Sequence, residues 1–101
     1  MSVHGDYNII ITTPNGPVES RASVDVDGHS MTGEMHAGGQ STHITDGHFD
    51  GGDVSWKAHV SDPAPMDLQF KGHCMDDVCS VITGEVKAGD LGSFPFKGTR
   101  K

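Results

Sequence analysis

Glycine-bearing turns interrupt this chain at spacings of roughly 8 to 14 residues, and no window of a dozen residues keeps apolar positions at helical spacing without a Gly or Pro intervening. Between the turns, apolar and polar residues alternate. A period of two places successive side chains on opposite faces of an extended strand, so each segment has one dry face and one wet face. The first run, Tyr7 to Thr13, carries Tyr7, Ile9 and Ile11 on one face and ends at Pro14-Asn15-Gly16-Pro17. Val18, Ser20, Ala22, Val24 and Val26 then point inward as far as Asp27-Gly28, a two-residue turn signal. Counting back from that turn sets Val26 opposite His29, Val24 opposite Met31, Ala22 opposite Gly33 and Ser20 opposite Met35.

Gly38-Gly39 makes the next turn, which places Met35 opposite Thr42, Glu34 opposite His43 and Gly33 opposite Ile44. Ile44 and Phe49 cannot share a face by strict alternation, so a β-bulge is expected near Asp46-Gly47. Asp50-Gly51-Gly52-Asp53 pairs Phe49 with Val54 and sends Val54, Trp56, Ala58 and Val60 inward. Beyond a stiffer connection from Ser61 to Pro65, the inward sets are Met66, Leu68, Phe70 and Gly72, then Ile82, Gly84, Val86 and Ala88, then Phe94 and Phe96. About eight strands joined as hairpins predict an all-β, antiparallel up-and-down meander. A closed barrel is preferred to a sandwich because closure removes the two exposed edges.

At 101 residues the chain is expected to form a single domain, residues 1 to 101, and a hydrophobic content of 34 % predicts a modest core. The formal net charge of −7 and the scattered Lys and Arg argue against nucleic acid and against an anionic membrane as partners. No apolar run approaches the roughly 20 residues of a membrane span, and Met1 to Asp6 has neither the basic nor the apolar part of a signal peptide. A cytoplasmic location is therefore expected. Cys74 and Cys79 are too few for a disulfide framework and are expected as reduced thiols, although as ends of one hairpin they lie within reach of a disulfide or, with His73, of a soft metal.

The stretches Ile44-Thr45-Asp46-Gly47, Val54-Ser55-Trp56, Gly84-Glu85-Val86-Lys87 and Phe94-Pro95-Phe96-Lys97-Gly98-Thr99-Arg100 resemble small bacterial calycin-like, or lipocalin-like, barrel proteins. These motifs are turn glycines and core positions, so the resemblance implies a fold and not an activity. The segment between Cys74 and Cys79 is longer than the tight Asp-Gly turn such proteins often use there.

Three sets of residues can carry function. Tyr7, Met31, Met35, Trp56 and Phe70 share the inner face with small residues such as Ala22, Gly33, Gly72 and Gly84. They are either a filled core or the lining of a site for a flat apolar or aromatic molecule at the barrel mouth. Asp46 and His48 flank the bulge, where alternation points both inward as a carboxylate and an imidazole suited to proton transfer in a cofactor-free isomerase, lyase or hydrolase. Glu34, His43 and His59 fall in one outward row, with Asp67 beyond His59, and suit Zn²⁺ or another divalent ion. There is no nucleophile elbow, phosphate loop or cofactor motif. The expected function is binding of a small apolar molecule, with proton-transfer catalysis and a packed interaction domain as the alternatives.

Overall fold

A computed structural model describes residues 4–37, 39–60 and 66–101. The connection from Ser61 to Pro65, and Gly38 of the Gly38-Gly39 turn, lie outside the described residues. Nine antiparallel strands follow in order: β1 (Gly5–Thr13), β2 (Gly16–Asp27), β3 (Ser30–Ala37), β4 (Gln40–His43), β5 (Thr45–Asp50), β6 (Asp53–Val60), β7 (Met66–Cys74), β8 (Val81–Ala88) and β9 (Ser93–Arg100). Chain neighbours pair with one another except β4 and β5, which both pair with β3, and β1 pairs with β9 from Tyr7 opposite Arg100 to Ile11 opposite Phe96. The sheet therefore closes on itself, and β4 and β5 together act as one bent strand of an eight-stranded up-and-down barrel. Among the described residues there is no helix, and hence none long and apolar enough to cross a membrane.

The bulge lies where the alternation slips. Thr45 is opposite Lys57 and His48 opposite Ser55, so three steps on β5 face two on β6. Asp46 takes up the extra residue at a φ of 51°, in the left-handed region that Asp tolerates better than most side chains. Across that break the backbone N–H of Ile44 still donates to Gly33 O at 3.0 Å. The bend leaves both Ile44 and Phe49 buried.

The β2–β3 register departs from expectation by two residues. Asp27 faces Ser30, Val26 faces Met31, Val24 faces Gly33 and Ala22 faces Met35, so Gly28-His29 is the turn and not Asp27-Gly28. Alternation is blind to such a slip, because moving by two keeps every inward residue inward. The close approach of the strands distinguishes the two registers. A Cβ on Gly33 would stand 1.9 Å from the Ser23 carbonyl oxygen, so only glycine fits there.

Three aromatic rings in mutual contact fill the centre of the interior. Trp56 lies directly opposite Phe70, with ring centroids 4.7 Å apart and planes at 11°, and Phe96 meets both edge-on at 5.9 and 5.3 Å. The indole N–H of Trp56 donates to Met35 Sδ at 3.4 Å. The small inner residues do not leave space around these rings. A Cβ on Gly72 would come within 3.0 Å of the Phe96 ring tip, and one on Gly84 within 2.0 Å of Lys71 O. A void in the interior, bordered by Tyr7, Ile9, Met31, Trp56, Ile82 and Phe96, is about 10 Å³. A single water needs about 10 to 15 Å³ and polar partners, so this all-apolar gap is dry.

One barrel end is closed by the loop between β7 and β8. Cys74 and Cys79 are joined there in a disulfide, with Cα atoms 4.8 Å apart, which corrects the expectation of two reduced thiols. Cys79 is fully buried, and its carbonyl accepts from the Tyr7 hydroxyl at 2.6 Å while Arg100 donates to that hydroxyl at 2.8 Å. The spacing of five is what allows the bond, since the loop turns back on itself through Cys79 at a φ of 54°. Asp76 accepts from both the hydroxyl and the backbone N–H of Ser80, and these bonds hold its carboxyl below the usual carboxylate range. A lowered carboxyl stabilises the loop above its unfolded value, and that hold is lost as acid protonates it.

Replacing both cysteines by serine is expected to cost about 2 kcal/mol, the loop-closure value for so short a ring. Urea unfolding with and without dithiothreitol measures it. An unchanged midpoint on reduction would mean that the loop is held by Tyr7, Arg100 and Asp76 alone.

Candidate functional site

The five residues expected to contact an apolar ligand are all in the barrel: Tyr7, Met31, Met35, Trp56 and Phe70 are each buried, and of them Tyr7, Met31 and Trp56 border the small void described above. All five belong to one core cluster with residues such as Ile9, Ile82, Val86 and Phe96.

Asp46 and His48 do not point into the barrel, which corrects the inward orientation expected from alternation. The bulge rotates both outward. Asp46 reaches the Lys57 ammonium at 3.3 Å on the outer wall. His48 is exposed, and its ring meets the His29 ring edge-on at 6.0 Å. The inward position between them is occupied by Gly47, where a Cβ would lie 2.0 Å from Met31 O. A side chain there would part β3 from β5, so the bulge serves strand packing.

Glu34, His43 and His59 lie on the outer wall as expected, but the carboxylates divide them. Glu34 is shared by His43 Nδ1 at 3.5 Å and His36 Nε2 at 3.7 Å, whereas His59 Nδ1 turns to Asp67 at 2.8 Å. At the other end of the same β6–β7 pair His73 meets Asp53 in the same way at 2.7 Å. Among the described residues no group of three or more His, Cys, Asp or Glu side chains is disposed to hold a metal ion.

A polar concavity lies elsewhere. A groove of about 780 Å³ runs over the outer side of β1, β2, β3 and the β3–β4 turn, lined mostly by polar residues together with Ile9 and Ile10. Its axis is a row set by strand register: Asn8 lies opposite Arg21, Arg21 opposite His36, and His36 opposite Ser41. Beside that row lie Asp6, whose carboxylate accepts from the Ser23 hydroxyl at 2.6 Å, and, on the other side, Glu19 opposite Ile10. Ser20, between Glu19 and Arg21 in the chain, turns to the opposite, inward face of β2 beside Ile9, is 8 % exposed, and has no partner for its hydroxyl among the described residues.

Sequence reasoning missed this groove because it depends on the β2–β3 register. The slipped register would have set Arg21 against Glu34 as an ordinary ion pair, whereas the observed one sets Glu34 against Ser23 and leaves Arg21 beside His36. Only the Asn8, Arg21 and Glu19 alternation on the outer faces of β1 and β2 was legible, and it looks like any solvated face.

No protein-family model, curated protein or solved structure matches the chain.

Proposed function

We propose that this domain is a small-molecule binding module of calycin-like design that works from the outside of a filled barrel, holding a polar ligand in the groove across β1 to β4. The observation that carries this reading is the contrast between an interior gap of about 10 Å³ and an outer groove of about 780 Å³ lined by side chains of both charges. An apolar ligand inside would have to displace Trp56, Phe70 or Phe96, each of which is buried in stacked or edge-on ring contact. Catalysis by Asp46 and His48 has little support, because Asp46 is engaged by Lys57. The buried disulfide favours a compartment in which disulfides persist over the reducing cytoplasm.

Amide chemical shifts distinguish these readings. A panel of small polar metabolites is expected to move the signals of Asn8, Arg21, His36 and Gln40 and to leave the Trp56 indole N–H in place. The reverse pattern, with apolar molecules moving the indole and polar ones moving nothing, would return the site to the barrel interior. No response to either set would leave the barrel as a packed interaction domain.

A further inference from the structure

We infer that the groove selects a zwitterion of about dipeptide length, with its carboxylate on Arg21 and its ammonium on Glu19; this rests on the groove being the binding site. Arg21 and Glu19 are neighbours on the outer face of β2, two residues apart, and both line the groove. Opposite charges so placed ordinarily find each other or a third group. Here neither makes a hydrogen bond or ion pair with any described residue. Two open charges of opposite sign therefore face one concavity.

Charge decides the class of ligand. A simple anion approaching Arg21 meets Glu19, Asp6 and a protein of net charge −7, and a simple cation approaching Glu19 meets Arg21. A molecule carrying both signs satisfies both sites and suffers neither repulsion. Two residues along a strand set the Cα atoms roughly 7 Å apart, which matches the separation of the ends of an extended dipeptide. The guanidinium offers a planar fork to the carboxylate, with the Asn8 amide and the His36 imidazole on either side of it in the same row. Ile10, 41 % exposed and directly opposite Glu19, supplies an apolar surface beside the ammonium end.

The test uses glycylglycine, N-acetylglycylglycine and glycylglycinamide as probes, titrated into the whole protein and followed by amide shifts and calorimetry. The expected result is saturable binding of glycylglycine at Asn8, Arg21 and His36, with each blocked derivative at least tenfold weaker. Arg21→Gln is expected to weaken glycylglycine at least tenfold. Glu19→Gln should reduce glycylglycine to the affinity of its N-acetyl form while leaving that form unchanged, a pattern no general loss of structure can mimic. Both side chains are exposed, so the thermal midpoints should hold. Equal binding of all three probes, or a Glu19→Gln variant that still prefers the free amine, overturns the zwitterion while leaving the groove as a site. Silence of the groove amides toward these probes while other polar molecules move them overturns the zwitterion in the same way. Silence toward every polar molecule overturns the groove itself.

Discussion

Trp56→Ala is expected to destabilise the barrel by roughly 3 to 5 kcal/mol, the cost of emptying a core aromatic site. The indole is 4 % exposed, stacks on Phe70, touches Phe96 edge-on and donates to Met35 Sδ, so truncation removes all three contacts at once. The walls cannot collapse to recover the loss. Ladder bonds to β5 and β7 fix the backbone on either side, and the closed sheet has no free edge along which to shift. Denaturant unfolding measures the change, and the wild-type indole emission should be blue-shifted as burial requires. A loss below about 1 kcal/mol, or emission like that of free tryptophan, would place Trp56 outside the core. The cavity created also tests the apolar-ligand idea, since a dry space lined by Phe70 and Phe96 should accept a small aromatic molecule that the wild type excludes.

The second large effect is expected at Gly84, where alanine should cost at least about 3 kcal/mol, at the upper end of overpacking penalties. Gly84 faces Gly72 across β7 and β8, and an added Cβ would lie 2.0 Å from Lys71 O and 2.5 Å from Gly72 Cα. Both obstacles are backbone, so relief requires the two strands to separate and to give up ladder hydrogen bonds in the middle of the barrel wall. Gly51→Ala is the control. That residue has a φ of +58° and nothing within 4 Å of an added Cβ, so it loses only the conformational ease of glycine, about 1 kcal/mol. Thermal midpoints of the two variants should differ widely. Equal midpoints would mean that β7 and β8 do not approach as closely as Gly72 and Gly84 indicate.

Period and punctuation alone determined the class of the fold. Alternation sorts residues between two faces regardless of register, which is why the inward positions of Trp56, Phe70, Ile82, Val86 and Phe96, and the bulge between Ile44 and Phe49, were legible before any contact was known. Turns whose length is set by their own residues were legible too, as Phe49 opposite Val54 and Glu34 opposite His43 demonstrate.

What the local pattern cannot distinguish was left to tertiary contacts. A slip of two at the β2–β3 turn conserves every face, and only the approach of Gly33 to the Ser23 carbonyl selects one register. That choice separates Arg21 from Glu34 and opens the polar groove. Whether the small inner residues leave a cavity likewise depends on distances between strands, and Gly72 and Gly84 are filled from across the ladder. The outward turn of Asp46 and His48 follows from how the bulge rotates the strand, and the Cys74–Cys79 bond from a loop that folds back under Tyr7 and Arg100. Each is a relation between segments distant in sequence, and a two-residue period carries no information about which segments meet.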